Sequence, residues 1–322
     1  MSTAGTKALV TGGGGFIGSH LVQRLLGDGY QVRVLDNFAT GHRHNLAEAL
    51  ADVELVEGDI QSYERGHNAV RGSEVVFHLA ALPSVPRSIQ DPLTSTATNV
   101  TGTLNVLLAA RDEGVRRVVF ASSSSVYGAN RELPQREEMP AKPIAPYAVS
   151  KLAAEGYCRA FSHVYGLETV ALRYFNVFGP RQDPLSQYSA VIPRFITAIL
   201  KGDRPIVFGD GEQSRDFTYI DNAVAATALA AEAEGVAGET FNVACGQTTT
   251  LNELLEHLGE ISGERIDADR AEAQPGEVPR SLADIGRARD ALGYDPAIDV
   301  RGGLERTFFH YQEQLQATDE PA

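Results

Sequence analysis

Short apolar runs alternate with longer amphipathic stretches over the first 175 residues of the chain. Each run is four to seven residues long and rich in Val, Leu and Phe: KALV (7–10), QVRVLD (31–36), VELVEGD (53–59), EVVFHLA (74–80), RRVVFAS (116–122) and ETVALRY (168–174). Nearly continuous apolar strands separated by helices are typical of a parallel sheet covered on both faces. The pattern therefore predicts an α/β fold with a doubly wound parallel sheet.

Between these strands, three stretches show the spacing of helices. They are FIGSHLVQRLLGDG after the first strand, about Ser95 to Glu113, and about Pro146 to Tyr165. After Arg173 the pattern loosens: prolines become frequent, and an alanine-rich helix (223–233) precedes one more strand, TFNVA (240–244). We predict a sheet domain over 1–175, with a returning segment at about 217–243, and a smaller mixed α/β domain over 176–322.

Composition narrows the function classes. The 322 residues are 43% hydrophobic and carry a formal net charge of −14, with no concentrated basic face that could bind nucleic acid or an anionic membrane. Cys158 and Cys245 lie far apart without metal-ligand spacing, and the eight histidines, including His42, His44 and His78, form no ligand cluster. No run approaches the ~18 apolar residues of a membrane span, so we expect a cytoplasmic protein without a metal.

Four consecutive glycines stand between the first strand and the first helix, in TGGGGFIGSH. The spacing Gly12-x-x-Gly15-x-x-Gly18 in this context is typical of a dinucleotide-binding loop of a Rossmann-type fold. We expect Gly12 to allow the tight turn, Gly15 to let a pyrophosphate reach free N–H groups at the helix N-terminus, and Gly18 to pack helix on strand.

Two acidic positions at strand ends support this interpretation. Asp36 ends the second strand 18 residues after Gly18, where its carboxylate can accept both hydroxyls of the adenosine ribose. The same carboxylate would repel a 2′-phosphate, which favours NAD over NADP. Asp59 and Ile60 follow the third strand and can meet the adenine edge.

The segment APYAVSK contains Tyr147 and Lys151 at i, i+4, which places the phenol and the ammonium on one helix face. A cation beside a tyrosine favours the phenolate, which can then act as a base near neutral pH. We expect the lysine, together with the positive nicotinamide of bound NAD, to have this effect.

With these motifs the chain resembles the extended short-chain dehydrogenase/reductase family over essentially its full length, and within it the UDP-hexose 4-epimerase group. The matching segments are TGGGGFIGSH, Asp36-Asn37, Asp59-Ile60, HLAA (78–81), TNVTGT around Asn99, SSSSVYG (122–128), PYAVSK (146–151), LRYFNVFGPRQ (172–182), GDGEQSRDFTYI (209–220) and PGEVPRSLADI (275–285).

The resemblance implies a role for each matching position. The expected catalytic residues are Ser123, Tyr147 and Lys151. Those expected to bind the cofactor, NAD, are Gly12, Gly15, Phe16, Ile17, Gly18, Asp36, Asn37, Asp59, Ile60, Leu79, Ala80, Ala81, Asn99, Ser122, Tyr147, Lys151 and Tyr174. Those expected to bind a UDP-sugar are Ser84, Ser123, Ser124, Tyr147, Asn176, Ala190, Val191, Arg215 and Ser281.

The positions after Ser123 bear on the reaction. The family's dehydratases and decarboxylases resemble one another in an acidic residue there, whereas this chain has Ser124 and Ser125. The resemblance therefore implies 4-epimerisation: Tyr147 takes the proton of the sugar 4-hydroxyl, hydride passes from C4 to NAD, and the 4-keto sugar turns over before hydride returns. Alternatives are a net sugar-nucleotide oxidoreductase or decarboxylase and, outside enzymes, an NAD-binding sensor of the same fold.

Two positions bear on the substrate. In the epimerases a tyrosine at the position of Ser281 resembles a gate, and serine leaves room for a 2-acetamido group, which implies UDP-N-acetylglucosamine and UDP-N-acetylgalactosamine. UDP-glucuronate is the alternative implied by ASSSSVYGAN, and plain UDP-hexoses stay open. Where relatives read Arg-Pro-Gly-Asp, this chain begins with Gln274, so one phosphate-binding arginine is missing and Arg280 or Arg270 would have to replace it. The resemblance also implies a homodimer through two helices per subunit, 95–113 and 146–165.

Overall fold

The computed structural model describes residues 5–183, 190–273 and 279–319. The strands in these ranges are β1 (Lys7–Thr11), β2 (Gln31–Asp36), β3 (Val53–Glu57), β4 (Val75–His78), β5 (Arg117–Ser123), β6 (Glu168–Tyr174), β7 (Val177–Phe178), β8 (Ile206–Phe208), β9 (Ser214–Arg215), β10 (Thr218–Tyr219), β11 (Glu239–Val243), β12 (Thr249–Thr250) and β13 (Asp269–Ala271).

Seven of these strands form one sheet in the order β11-β6-β5-β4-β1-β2-β3, and every neighbouring pair is parallel. The chain adds strands outward from β1 to β3, then crosses back and adds β4 on the other side of β1. Such a reversal leaves a crevice at the carboxyl ends of the strands, where ligands bind in doubly wound sheets. The predicted fold class is confirmed, and the later strand at 240–244 is found as the edge strand β11.

The helices are α1 (Phe16–Gly27), α2 (Tyr63–Val70), α3 (Val85–Gln90), α4 (Pro92–Thr96), α5 (Thr103–Asp112), α6 (Pro146–Tyr165), α7 (Val191–Leu200), α8 (Ile220–Glu232), α9 (Leu251–Ser262), α10 (Gly286–Leu292) and α11 (Val300–Asp319). The prediction for α6 is confirmed. The long helix expected from about Ser95 to Glu113 is instead composite, because a π-helical turn at Ala97–Gly102 separates α4 from α5.

Alternate residues of the sheet supply two cores. Val10, Val34 and Phe77 face a core beneath α1 and α8, while Leu9, Val76 and Phe120 face one beneath α2, α5 and α6. The first core continues without interruption into the C-terminal third of the chain, to Phe195, Leu254 and Phe308 among others. The smaller predicted domain over 176–322 (the second region) is therefore packed directly against one face of the sheet. No helix within 5–183, 190–273 or 279–319 is long and apolar enough to cross a membrane.

Candidate active site

Contacts within the protein already require several glycines of the loop after β1. Gly12 has φ +75°, and a Cβ there would lie 2.7 Å from the backbone nitrogen of Ala80. A Cβ on Gly13 would lie 2.6 Å from Cγ1 of Val34, and one on Gly18 would lie 2.1 Å from the carbonyl oxygen of Gly12. Gly18 therefore allows α1 to pack closely on the glycine loop, whereas the sequence analysis expected it to pack the helix on the strand.

Gly15 is different, since a Cβ there would meet only the Gly12 carbonyl oxygen, at 3.2 Å. It is the N-cap residue of α1, and neither a side-chain cap nor an acidic residue serves the first turn of that helix. The free N–H groups and the positive end of the helix dipole at such a terminus suit a phosphate group. This end of the loop fits a dinucleotide pyrophosphate.

Asp36 is buried at the end of β2 and holds the loop in place. Its carboxylate accepts hydrogen bonds from the backbone N–H of Gly14 at 2.8 Å and of Phe38 at 2.7 Å. Burial raises the pKa of this carboxyl, and the backbone donors oppose that effect. A carboxylate has further acceptor capacity, so Asp36 can both anchor the loop and accept a ribose hydroxyl.

Other predicted cofactor residues gather at the same edge. The Asn37 amide donates to the Asp59 carboxylate at 2.8 Å, and the Ala80 N–H donates to the Thr11 hydroxyl at 3.3 Å. Ile60 differs, since its side chain is buried against Gly102, where a Cβ would lie 2.6 Å from it. The Ile60 side chain therefore packs within the protein, its carbonyl oxygen accepts from Asn105, and its cofactor assignment stays a prediction.

The expected catalytic residues lie together at the ends of β5 and α6. The Ser123 hydroxyl neighbours the Tyr147 phenol and lowers its pKa. Lys151 is buried, donates to the carbonyl oxygen of Ala121 at 2.7 Å, and holds its Nζ 5.9 Å from the centre of the Tyr147 ring. The i, i+4 spacing thus places phenol and ammonium beside the strand that ends in the serines.

The electrostatics of this pair differ from the sequence expectation. Burial raises the pKa of Tyr147 to about 12, and the neighbouring Ser123 hydroxyl only partly opposes it. Burial also lowers the pKa of Lys151 to about 8. In the chain alone, desolvation therefore outweighs the neighbouring lysine and keeps Tyr147 a neutral phenol.

The start of α6 is fixed by residues that sequence reasoning missed. Ala145 gives the helix no side-chain cap, and Pro146 occupies its first turn. The fully buried Ser88 of α3 accepts the Tyr147 backbone N–H at 3.0 Å and so replaces the missing cap. The only sequence signal for this role of Ser88 is that it is a serine in a short helix with a proline in its first turn.

Asn99 lies in the π-helical turn and acts through the protein. Its side chain accepts the Leu82 N–H at 2.8 Å and donates to the Ser150 hydroxyl at 3.0 Å, one turn from the catalytic pair. The turn therefore joins the loop after β4 to α6. The cofactor assignment of Asn99 stays a proposal, because its polar atoms already have protein partners.

Three further predicted residues use their hydroxyls elsewhere. Ser122 donates to the buried Glu155 carboxylate, Tyr174 shares a hydrogen bond with Thr227 of α8, and Ser84 caps α3. Their hydroxyls have partners within the protein, and the assignment of these residues to cofactor or substrate stays a prediction. Ser124, in the turn that follows β5, is half-buried.

The second region brings Asn176 and Ser281 together. Asn176 follows β6 with φ +38°, a backbone conformation that asparagine tolerates better than most residues. Its amide donates to the carbonyl oxygen of Asp216 at 2.9 Å and to the hydroxyl of Ser281 at 3.3 Å. Two residues further on, Ala283 packs with Val126 close to the end of β5, so this cluster borders the catalytic edge.

Asp216 organises this region, although the sequence analysis assigned no role to it. Its carboxylate is fully buried and accepts backbone N–H groups of Cys245 at 2.9 Å, Gly246 at 3.0 Å and Ala283 at 3.1 Å. Burial raises its pKa to about 6. One carboxylate thus ties the segment carrying Arg215 to the loops on either side.

A cavity of about 120 Å³ lies in the second region, lined by Val191, Arg194, Ile206, Phe208, Gln213, Arg215 and Leu251. Two predicted substrate residues, Val191 and Arg215, therefore share one pocket. Ala190 is exposed at the start of α7 and is not part of the lining. An aromatic ring, an amide and two guanidinium groups make the pocket suitable for a planar base next to phosphates.

Gln274, the position of the missing phosphate arginine, lies outside the described residues. Arg270 donates to the Asp210 carbonyl oxygen at 2.7 Å and to the Asn252 amide oxygen at 2.9 Å, which leaves it poorly placed as a substitute. Arg280 is exposed, and its backbone pairs with Ser214 next to Arg215. The Arg270 backbone pairs with Val207, between two residues of the pocket lining, so both arginines lie beside the pocket.

His78 is a structural residue. Both ring nitrogens are hydrogen-bonded, to Thr11 at 2.7 Å and to Thr103 at 2.9 Å, and burial lowers its pKa to about 3. Across the described ranges, no group of three or more His, Cys, Asp or Glu side chains could hold a metal ion.

A glycine loop at a sheet switch point, an acidic end to β2 and a Tyr-Lys pair at the end of a crossover helix define a dinucleotide-binding α/β protein of the oxidoreductase type. Comparison with known proteins makes this specific. The family model described as the NAD dependent epimerase/dehydratase family matches residues 8–244, and the chain belongs to that family. The predictions of the family and of NAD as its cofactor are confirmed at this level.

Three similar proteins illustrate the range within the family. A UDP-glucose 4-epimerase of Mycolicibacterium smegmatis is 38% identical over 96% of this chain and 100% of its own length. A UDP-N-acetylglucosamine 4-epimerase from Methanobrevibacter ruminantium, in complex with UDP-N-acetylmuramic acid, has a TM-score of 0.92, 39% identity and coverage of 97% and 99%. A UDP-glucuronic acid 4-epimerase from Bacillus cereus, with a fluorinated UDP-glucuronic acid and NAD, has a TM-score of 0.89, 32% identity and coverage of 96% and 100%.

Proposed function

We propose that this protein is an NAD-retaining 4-epimerase of UDP-sugars, that it interconverts UDP-N-acetylglucosamine and UDP-N-acetylgalactosamine, and that UDP-glucose and UDP-galactose form a second substrate pair. The observation that carries the proposal is the placement of Tyr147, beside Ser123 and flanked by Lys151, at the sheet edge that carries the glycine loop. All three named comparison proteins are 4-epimerases of UDP-sugars.

The chain's own residues account for the proton chemistry. Tyr147 would accept the proton of the sugar 4-hydroxyl and return it, with Ser123 orienting the phenol and Lys151 stabilising the phenolate. Bound NAD would supply reversible hydride acceptance at C4 and a positive charge near the phenol, which the chain alone does not provide to Tyr147. Because both steps reverse on one sugar, no net redox change results.

The turn after Ser123 favours epimerisation over elimination. Ser124 and Ser125 carry no acid, and the Ser125 hydroxyl is buried with no hydrogen-bond partner among the described residues. A dehydratase needs a proton donor to expel water from the oxidised sugar, and neither serine has the pKa for it. The 4-keto sugar would therefore persist until hydride returns.

The cavity lined by Val191 and Phe208 would hold the uracil and ribose, with Arg215 at the diphosphate. Firm binding of the nucleotide and loose binding of the hexose would let the keto sugar rotate without escaping. Ser281, small and tied to Asn176, would border the hexose and leave room for a 2-acetamido group. UDP-glucuronate is the second candidate, because a glucuronate 4-epimerase is among the structural neighbours.

The decisive experiment incubates the purified protein with each of these three kinds of UDP-sugar, without added NAD, and separates the 4-epimers chromatographically. We expect conversion of the N-acetylated pair first. Conversion of UDP-glucuronate alone would overturn the substrate assignment, and conversion only with added NAD would overturn NAD retention. Bound NAD with no conversion of any UDP-sugar would favour the sensor alternative.

Ser281→Tyr sharpens the substrate test. The larger side chain should lower the turnover of N-acetylated sugars about tenfold or more and leave that of plain UDP-hexoses unchanged. One misfitting group in a pocket costs ~1–3 kcal/mol of transition-state binding. Ser281→Ala is the matched control, because it removes the hydrogen bond to Asn176 without adding volume. Equal losses on both sugar classes would contradict the gate role of this position.

We also propose a homodimer through α5 and α6. Apolar side chains on the outer face of α6 are exposed in the single chain, Val149 by 51%, Tyr157 by 39% and Val164 by 65%. Their spacing of seven to eight residues places them on one stripe, as in helix-to-helix interfaces. Val149→Glu with Val164→Glu should convert a dimer to a monomer in sedimentation velocity, and a parent chain that is already monomeric would overturn the assignment.

A further inference from the structure

A buried carboxylate on α6 is not used by the proposed chemistry. Glu155 stands one helical turn beyond Lys151 and two beyond Tyr147, on the same face of the helix. Its side chain is 3% exposed, although an ionised carboxylate is costly to bury unless it is paired and hydrogen-bonded. The hydrogen-bond partners of Glu155 therefore explain why α6 carries a charged residue at this buried position.

Two neighbouring strands bind this carboxylate. Ser122 donates to it at 2.5 Å, and Arg173 donates through Nε at 2.9 Å and Nη2 at 2.8 Å. Ser122 and Arg173 are register partners on β5 and β6, so they approach the carboxylate side by side. A bidentate guanidinium fixes orientation as well as distance, so α6 can neither rotate nor slide against the sheet.

Three successive residues of β5 are thereby paired with α6. The Ala121 carbonyl oxygen accepts from Lys151, the Ser122 hydroxyl donates to Glu155, and the Ser123 hydroxyl neighbours the Tyr147 phenol and lowers its pKa. We propose that Glu155, held by Ser122 and Arg173, is the positioning residue of this helix: it fixes Tyr147 and Lys151 against β5. The catalytic half of this inference rests on the proposed function.

Several titratable groups among the described residues surround Lys151. From α6 it faces Tyr147 and Cys158, whose pKa values burial raises to about 12, and from β4 it faces His78, neutral near pH 7. From β6, Arg173 carries a positive charge that Glu155 neutralises, and the Arg173 guanidinium lies 4.8 Å from the Tyr127 ring. Burial lowers the pKa of Lys151, and Coulombic effects of Cys158 first and then of Glu155 oppose it.

The chain offers a direct measurement, because it has four lysines, Lys7, Lys142, Lys151 and Lys201. Selective isotope labelling of lysine followed by NMR titration should resolve all four side chains, and Lys151→Met assigns the signal. Removing the partner charge should move the Lys151 midpoint to lower pH by about half a unit or more. The alkaline limb of kcat/KM should move in the same direction, while the other three lysines stay unchanged.

Glu155→Gln alone leaves Arg173 buried and unpaired, which strongly destabilises the protein. The double variant Glu155→Met with Arg173→Met avoids this, since apolar replacement of a buried ion pair is often neutral. The matched control is Arg117→Met with Glu168→Met, a register pair at the opposite ends of the same strands, joined at 2.7 Å. It should alter stability without moving the Lys151 titration.

An unchanged Lys151 midpoint in a folded Glu155→Met/Arg173→Met protein would overturn the inference and leave the pair a stabilising one. A shifted midpoint together with a shifted pH profile would establish it. If the midpoint shifts but the parent chain converts no UDP-sugar, the proposed function fails while the role of Glu155 toward Lys151 stands.

Discussion

The two sides of the candidate site are built in different ways. On the cofactor side, the glycine loop, Asp36 and Asp59 come from consecutive strand ends, and each lies within about 25 residues of the next. On the substrate side, Asn176, Asp216 and Ser281 meet across gaps of 40 to 65 residues. The first side is encoded by local spacing, the second by long-range hydrogen bonds around one buried carboxylate.

The junction of the two sides is where the largest effect is expected. Tyr147→Phe removes only the phenol oxygen, and loss of a general acid/base costs ~10²–10⁴-fold in rate. Steady-state epimerisation should fall by that amount, with thermal unfolding and bound NAD unchanged. Tyr157→Phe is the control on the same helix, since that ring is exposed. A Tyr147→Phe enzyme with near-normal turnover would contradict the assignment.

On the cofactor side, we expect a single substitution in the glycine loop to have a local effect. Gly18→Ala puts a Cβ 2.1 Å from the Gly12 carbonyl oxygen, a backbone atom that cannot move without opening the loop. We expect loss of retained NAD and a destabilisation of ~1–3 kcal/mol. Gly27→Ala, in the same helix with nothing within 4 Å, should be neutral or stabilising by up to ~1 kcal/mol. Absorbance of the purified protein reports the NAD, and equal retention by both variants would be inconsistent with the packing argument.

The substrate side should fail separately. Asp216→Asn keeps the shape but replaces a carboxylate with one acceptor oxygen and an NH₂ group that faces three backbone donors. We expect the KM for UDP-sugar to rise about tenfold with NAD retention intact, because unpaired buried donors cost ~1–3 kcal/mol each. Asp210→Asn, in an exposed loop, is the control. If NAD were lost along with substrate affinity, the two sides would not be independent.

The same carboxylate gives a pH test. Burial raises the folded-state pKa of Asp216 from 3.8 to about 6. Its contribution to stability is therefore fully present below the unfolded pKa and is lost as pH rises through about 6, by up to ~3 kcal/mol. Urea unfolding between pH 4 and 7 should show the parent protein losing stability relative to Asp216→Asn. A constant difference across that range would contradict the raised pKa.

This contrast explains what the sequence could and could not predict. The strands of the parallel sheet, α6 and the Tyr147–Lys151 pair follow from periodicity and i, i+4 spacing, which are local. The structural duties of Ser122, Tyr174 and Asn99 depend on partners 33 to 53 residues away, and no local pattern reveals them. Asp216 was invisible for the same reason, because an aspartate beside an arginine also fits a surface ion pair. Glu155 could have been found, since it continues the spacing of Tyr147 and Lys151.

The smallest predicted effect concerns how the two sides are joined at α6. Ser88→Ala removes the hydroxyl that accepts the Tyr147 N–H, and loss of a helix cap costs ~0.5–2 kcal/mol. Ser62→Ala removes a comparable cap, the acceptor for Arg65 N–H at α2, away from the catalytic edge. Both variants should unfold at similarly lowered urea concentrations, but only Ser88→Ala should also lower kcat, by a few fold, because only that cap sets the position of the phenol. Equal activities in the two variants would mean that packing of α6 on the sheet, through Glu155 and Lys151, is sufficient to place Tyr147 without its cap.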